Sequence, residues 1–260
     1  MRLLFVGDVF GKPGRRAVKE LLPALKRERG VDFVIANGEN CAAGAGITPD
    51  TAQELFAAGV DAITGGNHIW DKEEAIALIE RDQRVVRPVN FPPGAPGRGF
   101  GVFTTGAGER LAVVSVLGRI FMTPYDCPFR AMESVLEKLG SSTRVIFVDV
   151  HAEATSEKMA LAWYLDGRVS AIVGTHTHVQ TADERIFPRG TAYLTDAGMT
   201  GPHDSVIGVR KELALRRLMQ QMPVRYQPAD ADLRLHGILI EVDAGSGRAT
   251  SVERIGLRLA

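Results

Sequence analysis

A repeated alternation of short apolar runs with amphipathic segments constrains the fold of this chain more than any other feature. Residues 3–6 form an apolar run of strand length, and apolar residues then recur at the three-to-four spacing of a helix. The same order of strand and helix is predicted for residues 32–36 and 48–56, and again for residues 60–64 and 73–79. This alternation predicts an α/β fold in which helices cover a sheet.

Two prolines bear on the ends of these helices. Thr48 precedes Pro49 at the start of the second helical pattern, which is typical of a capping residue followed by the first helical position. Pro23 lies inside the first helical pattern, where it removes one backbone hydrogen-bond donor. We therefore expect a well-defined start for the second helix, and a kink or an early end for the first.

The second half of the chain repeats the alternation after an irregular stretch. Residues 91–101 hold three prolines and four glycines and are predicted to form a loop, and residues 102–117 have the pattern of a hairpin. A second series follows, with helices predicted at residues 132–139 and 157–165 and strands at residues 144–150 and 169–174. This series predicts further strands that end in polar residues.

The last third of the chain is rich in predicted strands. They lie at residues 192–195, 206–209, 235–242 and 249–254, and one helix is predicted at residues 211–221. No internal repeat, low-complexity tract or long linker divides the chain. We predict a single domain over residues 1–260, an α/β sandwich of two β-sheets flanked by helices.

Charge and cysteine content narrow the class of protein. The chain carries 31 basic and 31 acidic side chains, so no overall charge favours an extended nucleic-acid surface or an anionic membrane. No apolar run approaches the roughly 20 residues of a membrane span, and the N-terminal run is too short for a signal peptide. Two cysteines are too few for a disulfide framework. We expect a soluble cytoplasmic protein that acts on a small molecule, and we leave a homo-oligomer open.

Polar residues with metal-binding side chains follow five of the predicted strands. These residues are Asp8, Glu39 with Asn40, Asn67 with His68, His151, and His176 with His178. Because ligands of open α/β sheets bind beyond the carboxyl ends of strands, we expect these side chains to converge. Carboxylate, amide and imidazole groups together suit manganese, iron or zinc. Their number exceeds the need of one tetrahedral ion, so two ions that share a carboxylate are predicted.

The order of these residues resembles the motif blocks of the calcineurin-like metallophosphoesterases. Three blocks agree with that superfamily: Gly66-Asn-His68, the lone His151, and Gly174-Thr-His-Thr-His178. Two blocks depart from it, since Glu39 stands where the superfamily has aspartate and Phe10 stands where it has histidine. The resemblance implies the superfamily's fold and a metal-dependent phosphoric ester hydrolase.

The departures, together with residues 151–158 and 195–202, resemble one bacterial branch, the YmdB-like family of 2′,3′-cyclic-nucleotide phosphodiesterases. The similarity covers nearly the whole chain. It implies hydrolysis of 2′,3′-cyclic nucleotides to nucleoside monophosphates, with attack by a hydroxide that two metal ions hold. Iron or manganese is the implied metal, with zinc as a further option.

The same resemblance implies a role for each residue at the strand ends. Glu39 bridges the two ions; Asp8, Asn40 and His178 complete one ion, and Asn67, His151 and His176 complete the other. Asn40 thereby replaces the histidine that is absent at Phe10. His68 is the implied proton donor for the leaving oxygen, which is a role typically worth about 10²–10⁴-fold in rate. A histidine that orients a ligand is the alternative for His68.

Other functions remain open at the level of the sequence. The same two ions serve a broad-specificity phosphomonoesterase or a 3′,5′-cyclic phosphodiesterase equally well. A regulatory protein that binds metal and acts through RNA or protein partners is a rival of a different class. Residues 91–101 and 119–125 are predicted to wall the site, where an aromatic ring either stacks on a base or packs locally.

Five further side chains have weaker predictions. Glu153 and Thr155 either support His151 or cap the following helix. Cys41 lies beside a predicted ligand but is expected to be a small packed apolar residue. The two histidines outside the motif blocks, His203 and His236, are expected to be structural.

Overall fold

The computed structural model describes residues 1–260 as thirteen strands and six helices. The strands are β1 Arg2–Val6, β2 Phe33–Asn37, β3 Ala62–Thr64, β4 Val85–Val86, β5 Phe100–Thr104, β6 Arg110–Leu117, β7 Val145–His151, β8 Ala171–Thr175, β9 Arg185–Ile186, β10 Ala192–Leu194, β11 Gly201–Pro202, β12 Leu233–Val242 and β13 Ala249–Arg258. The helices are α1 Gly11–Arg29, α2 Pro49–Ala57, α3 Glu74–Arg81, α4 Pro128–Leu139, α5 Thr155–Leu165 and α6 Lys211–Gln220. None of these helices has the length and apolar character needed to span a membrane.

The strands form two sheets. In the first sheet β1, β2, β3 and β4 are parallel neighbours in that order, and β12 pairs antiparallel with β1 along one edge and with β13 along the other. The second sheet has the order β5-β6-β7-β8-β10-β9, and its four central strands are parallel. Both sheets therefore have a parallel centre, with antiparallel strands at both edges of the second sheet and at one edge of the first.

Three apolar layers hold the sheets and helices together. The inner layer lies between the two sheets, where the rings of Phe5 on β1 and Phe147 on β7 have centroids 4.9 Å apart. One outer layer joins α1, α2 and α3 to the first sheet, and the other joins α4 and α5 to the second. The prediction of two β-sheets flanked by helices is confirmed.

The two prolines had different outcomes. Thr48 caps α2, its side chain accepts a hydrogen bond from the Thr51 amide, and Pro49 is the first helical residue, as predicted. Pro23 lies inside α1, which nevertheless runs for 19 residues to Arg29, so of the predicted kink or early end the early end did not occur. The proline costs about 3 kcal/mol, whereas each fully buried leucine of the same helix contributes about 1.5–3 kcal/mol. The buried face of α1 therefore outweighs the proline.

Most strand predictions are confirmed to within a few residues, but one was wrong. Residues 206–209 do not form a strand; Val206 and Val209 make one isolated bridge that closes a tight turn. Within that turn Ile207 has a φ of 46° and Gly208 a φ of 99°, which is incompatible with extended backbone. The sequence pattern also missed β4, β9 and β11, because two residues are too few to show a period.

Candidate metal centre

The polar residues at or just beyond the carboxyl ends of β1, β2, β3, β7 and β8 meet at one edge of the sandwich. All seven predicted metal ligands, Asp8, Glu39, Asn40, Asn67, His151, His176 and His178, lie in one connected group of contacts. Asp8, Glu39, Asn40 and His151 are almost completely buried. The ends of strands from both sheets therefore place carboxylate, amide and imidazole groups at a single site.

Three of these side chains crowd around one atom of a fourth, the Nε2 of His151. That atom lies 3.0 Å from Glu39 Oε1, 2.9 Å from Asn67 Oδ1 and 3.0 Å from His176 Nδ1. Ligand atoms that bind one ion at about 2.1 Å and at right angles lie about 3 Å apart. The spacing of this crowded group, Glu39, Asn67, His151 and His176, thus fits the ligands of one metal ion.

The other three side chains, Asp8, Asn40 and His178, form a looser group. Asp8 Oδ1 is buried without any hydrogen-bond partner and lies 3.8 Å from His178 Nε2. A buried carboxylate oxygen without a partner costs free energy, which a bound cation removes. Asn40 points its Nδ2 toward Glu39 Oε1 at 3.2 Å and His178 Nε2 at 3.3 Å. Ligation through its oxygen requires the amide to turn by about 180°.

Each of the three histidines has a polar partner for the nitrogen that faces away from the cluster. The partners are Thr175 Oγ1 for His151 at 2.9 Å, Glu153 Oε2 for His176 at 3.2 Å, and the Ile207 carbonyl for His178 at 2.9 Å. Metal-ligating histidines almost always have such a partner, because it fixes which nitrogen carries the proton. The arrangement leaves one nitrogen of each ring free to bind a metal.

The electrostatics of the cluster favour a cation. Burial alone raises the pKa of Glu39, but the charge of His151 and hydrogen bonds from His151 and His68 lower it to about 2. Burial opposes the charged form of His151, yet the nearby carboxylates raise its pKa to about 9. Burial also raises the pKa of Asp8. A cation bound beside these carboxylates would supply the compensation that a proton on His151 otherwise provides.

A strained turn carries two of the histidines. His176 has a φ of 96° and His178 a φ of 66°, each of which costs a non-glycine residue about 1–3 kcal/mol. The buried pair of Lys158 and Asp196 braces this turn: Lys158 Nζ donates to Asp196 and to the Thr175 carbonyl, both at 2.7 Å. Asp196 also accepts hydrogen bonds from the backbone amide and the hydroxyl of Thr177, which lies between the two histidines. Sequence reasoning gave this pair no role, although both residues lie in the segments that resemble the family.

Because Gly66 has no side chain, Glu39 and His151 can lie close to its backbone. A Cβ atom at this position would lie 2.3 Å from Glu39 Oε2 and 2.5 Å from His151 Nε2. Side chains of any kind are thereby excluded between β3 and the cluster. The glycine of the Gly66-Asn-His68 block is explained by this close approach.

A cavity of about 550 Å³ opens beside the cluster. Its polar wall includes Glu39, His68 and Glu153, and its apolar wall includes Phe10 and Tyr226. The Phe10 ring is buried with Met199 and Val209 and stands edge-on to His178, with the ring centroids 5.6 Å apart. The residue that departs from the superfamily pattern therefore packs against a candidate ligand, and sequence reasoning missed Tyr226 because it lies in an irregular segment.

His68 lies at the edge of the cluster. Its backbone amide donates to Glu39 Oε2 at 2.9 Å, and its ring Nδ1 lies 2.8 Å from Asp71 Oδ2. The side chain is 43% exposed and lines the cavity. Its position thus gives the ring access to a molecule bound in the cavity.

The two predicted wall segments do not line this cavity. Phe91 is buried in the apolar layer outside the first sheet, where its ring packs against Trp70 and Tyr125. Phe121 is 89% exposed and lies outside the cavity lining. Of the two alternatives given for the aromatic rings of these segments, local packing is the one that Phe91 follows.

The weaker predictions are also resolved by contacts. Glu153 contacts His176 rather than His151, and the cap of α5 at Ala154 receives no side-chain hydrogen bond. Cys41 is fully buried in an apolar layer, as predicted, and its thiol donates to Thr51. The remaining two histidines, His203 and His236, lie against each other outside the cluster, with ring centroids 4.4 Å apart.

Comparison with known proteins identifies the family. The sequence pattern of YmdB-like proteins matches residues 4–255. A 2′,3′-cyclic-nucleotide 2′-phosphodiesterase of Bacillus subtilis (strain 168) is 49% identical over 255 residues, which are 98% of this chain and 96% of that protein. A solved protein of Thermus thermophilus is 48% identical with a TM-score of 0.93 and coverage of 99% of both chains. A solved Mycoplasma pneumoniae protein, described as a novel phosphatase, is 34% identical with a TM-score of 0.93, covering 99% of this chain and 93% of its own. The chain therefore belongs to the YmdB-like family and has the metallophosphoesterase-type fold that the sequence resemblance implied.

Proposed function

We propose that this chain is a metal-dependent phosphoric ester hydrolase that opens 2′,3′-cyclic nucleotides to nucleoside monophosphates. The observation that carries the proposal is the convergence of seven donor side chains in which each histidine has its outer nitrogen held by a polar partner. The substrate class comes from the name of the Bacillus subtilis relative. Family membership and the donor set support the same chemistry.

We propose two metal ions, iron or manganese, with zinc as a further option. Glu39 is shared between the ions, the rest of the crowded group holds one ion, and the looser group holds the other, with Asn40 turned to present its oxygen. When bound, two such ions polarise phosphoryl oxygens and lower the pKa of a water to near neutral. The unpartnered Asp8 Oδ1 and the space kept by Gly66 support this assignment.

The side chains around the cavity have roles in binding the nucleoside and in transferring a proton. The apolar wall at Phe10 and Tyr226 supports binding of the nucleoside, while the phosphate faces the donor cluster. Water adds to phosphorus, the bond from phosphorus to the 2′ oxygen breaks, and the leaving oxygen takes a proton from His68. Asp71 holds the His68 ring at 2.8 Å and so keeps the other ring nitrogen available for this transfer.

The residues of both sheets contribute to this activity, so we propose that residues 1–260 act as one domain. The inner apolar layer is shared by the two sheets, and the crowded group takes Glu39 and Asn67 from one and His151 and His176 from the other. The cytoplasmic location stays a prediction from the sequence.

A substrate panel tests the proposal. Metal-reconstituted protein is given 2′,3′-cyclic AMP, 3′,5′-cyclic AMP, 2′-AMP and 3′-AMP, and the products are separated by chromatography. We expect the highest kcat/KM on 2′,3′-cyclic AMP, with a nucleoside monophosphate as product. A higher kcat/KM on the monophosphates would instead support a phosphomonoesterase, which the description of the Mycoplasma pneumoniae structure favours as the second candidate.

The role of His68 is tested by changing the leaving group. We predict that His68→Ala lowers kcat about 10²–10³-fold on 2′,3′-cyclic AMP and far less on nitrophenyl phosphate esters, because a good leaving group needs no proton. His203→Ala is the matched control, since that histidine lies outside the cavity. Equal losses on both substrates would contradict the proton-donor role and indicate a role in positioning.

A further inference from the structure

A buried carboxylate lies behind the cluster and belongs to neither group of donors. Asp149 on β7 is fully buried and accepts three hydrogen bonds from neutral side chains. The donors are Thr175 Oγ1 on β8 at 2.6 Å, Asn37 Nδ2 on β2 at 2.9 Å and Thr64 Oγ1 on β3 at 2.5 Å. Strands of both sheets therefore meet at one carboxylate directly behind the site.

The Thr175 hydroxyl connects this carboxylate to His151. A hydroxyl has a single hydrogen, and the Asp149 carboxylate can only accept, so Thr175 donates to Asp149. The contact of 2.9 Å between Thr175 Oγ1 and His151 Nδ1 is then a bond that the ring donates. The reverse arrangement would leave Asp149 buried with one donor fewer, which costs about 1–3 kcal/mol. His151 therefore carries its proton on Nδ1 and directs Nε2 to Glu39 and Asn67.

We infer that Asp149 and Thr175 are positioning residues that hold His151 in the Nδ1–H tautomer, so that metal affinity depends on two side chains that contact no ion. The inference rests on the metal site of the proposed function. The same carboxylate also accepts hydrogen bonds from Asn37 and Thr64 in the sheet that supplies Glu39 and Asn67, and so links the two sheets behind the cluster. Partners of this kind are typically worth about 10–100-fold in metal affinity.

Thr175 offers a pair of variants that separates the hydroxyl from packing. Thr175→Val keeps the shape and removes the hydroxyl, whereas Thr175→Ser keeps the hydroxyl. Zinc affinity of chelator-stripped protein is measured by competition with a chromogenic chelator. We expect about 10–100-fold weaker binding for Thr175→Val and binding within about threefold of wild type for Thr175→Ser. The buried Thr191→Val variant controls for lost stability, since the Thr191 hydroxyl bonds only backbone groups far along the strands.

Two further measurements test the chain of hydrogen bonds from His151 through Thr175 to Asp149, which we call the relay. In zinc-loaded protein labelled with ¹⁵N-histidine, the wild type and Thr175→Ser should show His151 with hydrogen on Nδ1 that exchanges slowly, and Thr175→Val should show faster exchange. Asp149→Asn should weaken zinc binding alone but add little in the Thr175→Val background, because the relay is already broken. Additive losses, or equal losses for the valine and serine variants, would overturn the relay. Wild-type protein that binds zinc no more tightly than Thr175→Val overturns only this inference, whereas a wild type that binds none of zinc, manganese and iron overturns the proposed function as well.

Discussion

The two groups of donors in the cluster differ in how closely their donor atoms are spaced. In the crowded group, three donor atoms lie 2.9–3.0 Å from His151 Nε2, and the ring of that histidine is held from behind by Thr175. In the looser group, Asp8 Oδ1 has no partner and lies 3.8 Å from His178 Nε2, and Asn40 presents nitrogen instead of oxygen. The first group is thus closely spaced and held by hydrogen bonds, whereas the second is more widely spaced and contains an unpartnered carboxylate oxygen.

This difference has a thermodynamic consequence. A preorganised group loses little conformational freedom when it binds, whereas a group that must turn an amide and close a gap spends part of its binding free energy on that change. We therefore expect the ion of the crowded group to bind more tightly than the ion of the looser group. The predictions that follow act on both groups, on one, or on the other.

The largest effect is expected for Glu39→Gln, which acts on both groups. The amide removes the charge that compensates two cations, so we predict loss of bound metal and a fall in kcat/KM of about 10³-fold or more. Elemental analysis and kinetics on the same preparation measure both, and the unfolding midpoint reports the fold. Glu28→Gln, at an exposed glutamate, is the control. Two tightly bound ions with near-native turnover would refute the bridging role.

Gly66→Ala acts first on the crowded group, and on the looser group only through the shared Glu39. The added methyl group would lie within 2.5 Å of both Glu39 and His151, so the spacing of about 3 Å between donors must change. We predict roughly 10²-fold lower kcat/KM and loss of the tighter ion, since misplacement by about 1 Å has effects of that size. Gly106→Ala adds a methyl group into open space and serves as the control. If the Gly66→Ala variant keeps both ions, the close spacing of these donors is not required for metal binding.

Asn40→Ala acts on the looser group alone. Its amide is the proposed substitute for the histidine absent at Phe10, so its removal should lower the affinity of one ion by about 10–100-fold. Elemental analysis after dialysis should then give about one ion per chain instead of about two. Full occupancy after the same dialysis would mean that the amide is not a ligand.

The smallest effect is expected for Phe10→His in the Asn40→Ala background. The Phe10 ring already lies edge-on to His178 at 5.6 Å, so an imidazole there is near the looser group. We predict a partial return of the weaker ion, by about threefold to tenfold in affinity, since imidazole is a stronger donor than an amide oxygen. Phe10→Leu in the same background keeps an apolar side chain and should restore nothing. Equal binding by both double variants would exclude ligation from this position.

The sequence by itself determined the fold class and which residues meet at the site. Strand and helix periods are local properties, and polar residues placed directly after parallel strands must come together wherever those strands pair. The helix start at Thr48 was likewise predictable, because a capping box uses neighbours in the chain. These features depend on short-range geometry that the order of residues expresses directly.

Only the tertiary structure decided how the donors are oriented and what surrounds them. The pairing of His151 with Thr175 and Asp149, the brace of Lys158 and Asp196, and the cavity wall at Tyr226 all join residues that lie far apart in the chain or on different strands. The failed strand at residues 206–209 and the uninterrupted helix at Pro23 have the same origin, since backbone conformation there follows from packing. Helix propensity spans about 1 kcal/mol per residue for most side chains and about 3 kcal/mol for proline. The free energy gained by burying several side chains is larger, so packing can override the local preference.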